Sequence, residues 1–219
     1  MSIYRSDPAS VNFEDDYTIS SPRVLCLGHA MKETLTVRNA LKSLELGVKL
    51  GGGILAGSFC LSDGGDGFLD AFSYVHPFPR QRVLTSNPLG RLMMADYLCD
   101  MNEGIAAIEM ARASGLHLVP EGQRDIMRAS TYGLGDLVLH ALTLGVERLY
   151  VGLGGSATCD GGLGMLIRLQ EGLLKTQISP EKGHGATGLE KPPEIDLKGI
   201  REKLGELEIH ACTDVFNPL

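Results

Sequence analysis

Two glycine-rich segments with the same pattern constrain the fold most strongly. Asp63–Leu69 and Asp160–Leu166 both read D-G-G-x-G followed by an apolar residue and Leu, and each lies between a short apolar run and a segment with helical periodicity. A turn that connects a strand to a helix is the repeating unit of α/β folds. The repeated pattern therefore predicts an α/β fold in which the two turns lie close together beside one cleft.

Apolar periodicity predicts the other elements. The predicted strands are Arg23–Leu27, Ile54–Cys60, Arg82–Thr85, Met93–Cys99, Ile105–Met110, Arg148–Leu153 and Glu208–Ala211. The predicted helices are one that begins with Thr34 as its N-cap and ends at Gly51, followed by Phe68–Tyr74, Thr131–Leu144 and Leu163–Leu174. Residues 175–207 are rich in Gly, Pro, Glu and Lys, which predicts an exposed connection with one short helix.

The composition excludes several functions. The net charge is −7 and the chain has no Trp, whereas nucleic-acid-binding domains usually carry a basic surface and aromatic stacking platforms. The five cysteines form no C-x-x-C pair, which excludes the usual zinc motifs and a disulfide scaffold. No apolar run approaches the ~20 residues that span a bilayer, and residues 1–22 lack the features of a targeting peptide. We expect a cytoplasmic protein with a mobile extension at 1–22 and neither a nucleic-acid nor a membrane partner.

The glycine-rich turns are candidate anion-binding sites. Glycine lets the backbone adopt φ > 0 and approach a ligand closely, and N–H groups at the start of a helix bind phosphate or carboxylate. A third glycine cluster, Gly152–Thr158, precedes the second turn. The alternative is that each Asp caps its helix while the glycines only form the turn.

The third cluster also imitates a dinucleotide-binding fingerprint. Gly152, Gly154 and Ala157 follow a predicted strand, and Glu171 lies near the spacing of the acid that binds the ribose. In the fingerprint, the acid that binds the ribose lies at the end of a second strand, whereas the segment around Glu171 has a helical pattern. No G-x-x-x-x-G-K-[ST] segment occurs, which argues against P-loop chemistry. An NAD-linked dehydrogenase stays an alternative.

Acidic residues cluster at the predicted strand ends, where open α/β sheets bind their ligands. They are Asp63, Asp66, Asp160 and Asp214. Carboxylates beside phosphate-binding amides can hold Mg²⁺ or accept the proton of a hydroxyl during phosphoryl transfer. Lys32 follows the first predicted strand and offers a positive charge to a phosphate.

Six segments, in order along residues 24–219, resemble motifs of the bacterial-type glycerate kinases. Their family counterparts read A-P-D-S-F-K-E-S, A-D-G-G-E-G-T, I-E-M-A-x-A-S-G-L, S-W-G-T-G, G-G-S-A-T-x-D-G-G and D-V-x-N-P-L. The corresponding segments here are Leu27–Thr34, Ser62–Gly67, Ile108–Leu116, Ser130–Gly135, Gly154–Gly162 and Asp214–Leu219.

The resemblance implies a fold, an activity and a set of site residues. The fold would be α/β, with residues 23–60 as the first part of a Rossmann-like parallel domain and residues 61–219 as a second, inserted α/β domain that carries the glycine-rich loops. The activity would be transfer of the γ-phosphoryl group of ATP to D-glycerate with Mg²⁺. The candidate catalytic residues are Lys32, Asp63, Asp66 and Asp214, of which Asp214 is also the candidate metal ligand. The candidate substrate- and phosphate-binding residues are Gly64, Gly65, Gly154, Gly155, Ser156, Thr158, Asp160 and Asn217.

Two departures from the family pattern leave alternatives open. His29 stands where the family has Asp, and family members continue beyond the N-P-L motif into a C-terminal half that completes the Rossmann-like domain. The resemblance therefore implies a fragment or truncated form with doubtful activity of its own, which would form a homo-oligomer or lack a C-terminal half. The other reading is a non-catalytic relative that binds a sugar acid or a nucleotide.

Overall fold

The computed structural model describes residues 21–31, 34–178 and 185–214. The strands are β1 (Arg23–Gly28), β2 (Ile54–Cys60), β3 (Arg80–Ser86), β4 (Leu92–Asp100), β5 (Ile105–Glu109), β6 (Arg148–Gly152) and β7 (Glu208–Cys212). The α-helices are α1 (Val37–Leu50), α2 (Phe68–Val75), α3 (Ala111–Ser114), α4 (Tyr132–Thr143), α5 (Leu163–Leu174) and α6 (Leu197–Leu204). None of the helices within these ranges is long and apolar enough to cross a membrane.

The strands form two sheets. β1 and β2 pair in parallel as one sheet, and the other five strands form a second sheet in the order β3-β4-β5-β6-β7. β4 is antiparallel to both β3 and β5, whereas β5, β6 and β7 are parallel. Consequently β3, β5, β6 and β7 all end at the same edge of the larger sheet, which we call the carboxyl edge. The α/β fold class predicted from the glycine-rich turns is confirmed.

Both faces of the larger sheet are covered, and its buried strands show a period of two. On β5, Ala106 and Ile108 pack in the cluster that includes residues of α4 and α5, while Ala107 lies in the opposite cluster with Phe68 and Leu69 of α2. All three β5 side chains are fully buried. The central strand thus reads as a continuous apolar run because helices cover both of its faces.

Helix α2 belongs to both cores. Phe68 and Leu69 pack against Leu98 and Ala107 of the larger sheet, while Ala71 packs with the cluster formed by β1, β2 and α1. The boundary expected between residues 60 and 61 therefore falls just before the loop and helix that join the two sheets.

The predicted elements of the described ranges are confirmed, with strand and helix ends shifted by a few residues at most. The start of α1 differs: Thr36 is the N-cap and its Oγ1 accepts a hydrogen bond from the Asn39 N–H at 3.3 Å. Thr34 instead donates its hydroxyl to the Met31 carbonyl at 3.1 Å in the preceding turn. The prediction of Thr34 as the cap was wrong because a second threonine, two residues later, fits the capping geometry.

One face of the β1–β2 sheet is open. Cys26, Val37 and Leu41 are buried where α1 covers the sheet, but Leu25, Leu27 and Phe59 expose about half of their surface, at 55%, 50% and 49%. Alternation along β1 sends its even-numbered residues toward α1 and its odd-numbered residues to the open face.

Candidate functional site

The two glycine-rich loops meet at the carboxyl edge. One follows β2 (residues 61–67) and the other follows β6 (residues 153–162). The Gly154 N–H donates to the Gly64 carbonyl at 2.9 Å, and the neighbouring Leu153 N–H donates to the Cys212 carbonyl at the end of β7 at 3.0 Å. The predicted proximity is confirmed for the strand ends, where the contact is made by Gly154 of the third glycine cluster; the second D-G-G-x-G segment itself begins six residues later, at Asp160.

Glycine is required at the contact because the two backbones touch. A Cβ on Gly154 would overlap the Cα of Gly65, and a Cβ on Gly64 would overlap the Cys212 carbonyl. Gly64 also has a φ of +90°, a conformation that side chains disfavour. Gly64, Gly65 and Gly154 therefore shape the site by close packing of its two walls.

Asp66 of the first loop lies next to Gly155 of the second loop. Gly155 has a φ of +68°, and a Cβ there would lie 2.6 Å from Oδ1 of Asp66. Asp66 is exposed. On the far side of Gly155, the exposed Ser156 hydroxyl lies 2.8 Å from the Thr158 hydroxyl and accepts the Thr158 N–H at 3.0 Å. A carboxylate, two hydroxyls and a left-handed glycine thus lie on one accessible surface.

Asp63 is fixed on one side and faces a histidine on the other. Its Oδ1 accepts the Gly65 N–H at 2.8 Å, and its Oδ2 lies 3.7 Å from Nε2 of His29. Both side chains are partly exposed, at 39% for Asp63 and 47% for His29. The histidine that replaces the family's aspartate is therefore placed beside another candidate carboxylate.

Asp160, in the same sequence register as Asp63, is 1% exposed. Its Oδ2 accepts the Thr131 N–H at 2.8 Å, the Thr131 hydroxyl at 2.9 Å and the Gly164 N–H at 3.1 Å, while Oδ1 accepts the Gly162 N–H at 3.2 Å. The carboxylate is enclosed by donors of its own chain. The structure gives Asp160 the helix-capping role that the sequence had left as the alternative, rather than a place on the accessible surface.

A cleft of about 380 Å³ opens beside Asp66. It separates the start of α1 from the end of β5, and Asp66, Gly67, Glu109, Arg112 and His117 line it. Glu109 is 3% exposed and accepts the Leu69 N–H at 3.0 Å. Burial raises the pKa of the Glu109 carboxyl, and the charge of Arg112, whose Nε lies 3.4 Å from Oε1, opposes that rise.

Glu109 and Arg112 were missed as site residues by the sequence reasoning. Both lie in the segment Ile108–Leu116, which resembles a family motif. The available signal was the position of Glu109 at the end of an apolar strand, the same position that drew attention to the aspartates.

The remaining candidates divide into three groups. Lys32 and Asn217 lie outside the described residues. Asp214 is exposed two residues beyond β7. Glu171 lies within α5 and accepts the Tyr132 hydroxyl at 2.5 Å, so it ends no strand and the dinucleotide fingerprint is incomplete.

The described ranges contain no group of three His, Cys, Asp or Glu side chains that could hold a metal ion. Mg²⁺, however, is commonly bound by one or two carboxylates together with substrate phosphates and water. The exposed carboxylates of Asp66 and Asp214 fit that mode, in which most of the ligands come from elsewhere.

Comparisons with known proteins agree with one another. Residues 24–219 match the glycerate kinase family. The glycerate kinases of Halalkalibacterium halodurans and Bacillus subtilis are each 35% identical, over 87% and 90% of this chain. The glycerate 2-kinase of Escherichia coli is 32% identical over 90% of the chain.

A crystal structure assigned to glycerate kinase 2 of Salmonella typhimurium LT2 superposes with a TM-score of 0.71 at 32% identity. It covers 90% of this chain but 54% of its own. The sequence relatives are likewise covered over 50% to 52% of their length, so the chain spans about half the length of the proteins that it matches.

Proposed function

The chain belongs to the glycerate kinase family, and we propose that it carries the substrate loops of a glycerate kinase that transfers the γ-phosphoryl group of ATP to D-glycerate. The observation that carries this proposal is the contact between the two glycine-rich loops, which groups Asp66, Gly155, Ser156 and Thr158 at the carboxyl edge. Phosphoryl transfer depends mainly on positioning and on neutralisation of charge. The positioning is provided by backbone N–H groups, hydroxyls and carboxylates that the two loops hold in fixed places.

The proposed roles follow from exposure. Gly155, Ser156 and Thr158 would donate hydrogen bonds to oxygens of phosphate or of the glycerate carboxylate, because they lie on the accessible side of the loop contact. Gly64, Gly65 and Gly154 would act by holding the loops together. Asp160 would stabilise the second loop through its hydrogen bonds to Thr131 and Gly164.

The carboxylates would bind the acceptor hydroxyl of glycerate and the Mg²⁺ ion. Asp63 and Asp66 would orient the hydroxyl of glycerate and accept its proton, while Asp214 would serve as a metal ligand or a base. Mg²⁺, when bound, would neutralise charge on the phosphates of ATP. Lys32 and Asn217 stay proposals that rest on the motifs.

One observation favours a second candidate, a family member that binds a sugar acid or nucleotide without turnover. His29 replaces an aspartate and lies 3.7 Å from Asp63. The carboxylate that the family has at this position is therefore replaced by an imidazole next to Asp63. Saturable binding of D-glycerate and ATP without product would select this candidate.

The test is an assay with ATP, Mg²⁺ and D-glycerate, alone and with the C-terminal half of the Bacillus subtilis relative supplied as a separate chain. We expect phosphoglycerate formation to rise by at least about a hundredfold with that half, because a phosphoryl-transfer site needs both walls of its crevice. Asp66→Asn should reduce the stimulated rate by at least about tenfold.

Asp100→Asn is the matched control. The Asp100 carboxylate accepts backbone N–H bonds from Asn102 and Glu103 in a turn at the opposite edge of the sheet, so the rate should not change. Equal rates for the Asp66 and Asp100 variants would contradict the proposed site, and no phosphoglycerate under either condition would contradict the activity.

A further inference from the structure

A second cleft, of about 690 Å³, lies beside the turn between β3 and β4. Leu89 and Arg91 of that turn form one wall, and the loop 122–128 forms the other. The lining includes three guanidinium groups, from Arg91, Arg124 and Arg128, and one carboxylate, from Asp125. Positive charge is therefore concentrated at this cleft in a chain whose net charge is −7.

Both walls are held in place by hydrogen bonds. Asn87 Oδ1 accepts the N–H groups of Leu89 and Arg91, each at 3.0 Å, which fixes the turn. In the other wall, Asp125 Oδ1 accepts the Met127 N–H at 3.0 Å. The single carboxylate of the lining is thus engaged by its own loop, while the walls hold the three arginines around one space.

Of the eight other arginines in the described ranges, four are paired with a carboxylate. Arg80, Arg112, Arg148 and Arg168 each form an ion pair with Asp or Glu. Arg91, Arg124 and Arg128 form none with any carboxylate in the described ranges. Three neighbouring positive charges repel one another unless an anion lies between them. The planar guanidinium group matches phosphate oxygens with paired hydrogen bonds.

We propose that Arg91, Arg124 and Arg128 bind a small phosphate-bearing anion in this cleft. The site lies at the carboxyl edge, because β3 ends there, but it shares no residue with the two glycine-rich loops. A single segment connects it to them: Ser130 donates its N–H to the Pro88 carbonyl at 2.9 Å, and the adjacent Thr131 is bonded to Asp160. Anion binding in this cleft is therefore separate from the proposed kinase activity and does not depend on it.

The test is calorimetric titration of the 219-residue chain with inorganic phosphate, against sodium chloride at the same ionic strength. We expect the double variant Arg124→Gln/Arg128→Gln to raise the Kd for phosphate by at least about tenfold, because it removes two of the three guanidinium groups that donate charged hydrogen bonds to the phosphate. Arg201→Gln, which removes an exposed guanidinium on α6, should leave the Kd unchanged. Because all three arginines are exposed, an unchanged thermal midpoint should accompany both variants.

Two results would overturn the proposal: no phosphate binding beyond the chloride control, or the same Kd in the double variant and in Arg201→Gln. The second result would assign phosphate to the glycine-rich loops instead. Given binding, competition identifies the source of the phosphate, because a monoester site is emptied more readily by 3-phosphoglycerate and a nucleotide site by ATP. If the chain shows no kinase activity but the double variant still weakens phosphate binding and Arg201→Gln does not, only the proposed function is contradicted.

Discussion

Asp63 and Asp160 begin the same D-G-G-x-G pattern, yet their carboxylates lie in opposite environments. Asp63 is 39% exposed at the rim of the site, whereas Asp160 is 1% exposed and surrounded by donors. An exposed carboxylate can exchange its water for a ligand, but a buried one already uses its acceptor capacity to hold Thr131 and the first turn of α5. The repeated pattern therefore encodes one accessible aspartate, which we propose as a site residue, and one buried aspartate that stabilises the fold.

Replacement of each aspartate by asparagine tests this distinction. Asp160→Asn would place an amide N–H₂ among N–H and O–H donors, so we expect a loss of about 3 kcal/mol in the free energy of unfolding. Asp63→Asn keeps an oxygen for the Gly65 N–H and should cost less than about 1 kcal/mol. Urea denaturation of the two variants measures both values, and equal losses would contradict the assignment.

The contact between the loops depends on the absence of a side chain at Gly154, which packs against the Gly65 backbone. Gly154→Ala would push a Cβ into the Gly65 backbone, and we expect it to lower the free energy of unfolding by about 2 kcal/mol or more.

Gly47→Ala is the control for this substitution, because a Cβ at Gly47 in α1 would contact nothing within 4 Å. It should raise the free energy of unfolding by about 1 kcal/mol, the difference in helix propensity. A Gly154→Ala protein as stable as Gly47→Ala would show that the loops do not pack as closely as described.

At the scale of elements, the two sheets differ in support. β5 has a hydrogen-bonded neighbour on each side and helices on both faces, whereas the β1–β2 sheet has two strands and one open face. Two-stranded sheets have little stability of their own. The β1–β2 sheet is therefore stabilised by α1 and by α2, the helix that packs in both hydrophobic cores.

Native-state hydrogen exchange should report this difference. We expect amides of β1 and β2 to exchange at least about a hundredfold faster than those of β5 and β6, because the smaller sheet can open without disrupting the larger core. The measurement compares protection factors of Cys26 and Ser58 with those of Ala107 and Val151. Equal protection in the two sheets would mean that they unfold as one unit.

The order and type of the elements were predictable because they depend on local patterns. The helix Leu163–Leu174 was predicted with its observed bounds, since glycines precede it and the apolar spacing is regular. The start of α1 was misplaced because Thr34 and Thr36 are both competent caps, and the choice depends on the turn at Met31.

The site was predictable only in part. The glycine-rich loops and Asp66 could be found from spacing, because strand ends at one edge of a sheet lie close together. The burial of Asp160 could not, since it depends on contacts with Thr131, 29 residues earlier in the chain. The placement of Glu109 beside the cleft likewise depends on α2, whose Leu69 N–H binds its carboxylate at the end of β5, a contact that no local pattern specifies.

At the scale of the whole molecule, the two sheets are joined by the loop contact and by α2, and the candidate site lies where they meet. The open face of β1–β2 exposes Leu25, Leu27 and Phe59, and apolar surface of this kind is typical of a face that another element covers. The relatives, about twice as long as this chain, have further residues that could provide such a cover. We therefore expect strong dependence of turnover on a complementary half, and only weak substrate binding by the loops alone.

Amide chemical shifts during titration with D-glycerate and then MgATP would show whether the two loops form one substrate site. We expect the amides of Asp66, Gly67, Gly155 and Thr158 to shift together with a single Kd for each ligand. The turn at Asn102, at the opposite edge of the sheet, should stay unchanged. Shifts confined to the cleft lined by Arg91, Arg124 and Arg128, or to only one of the two loops at saturating ligand, would mean that the loops do not form one site.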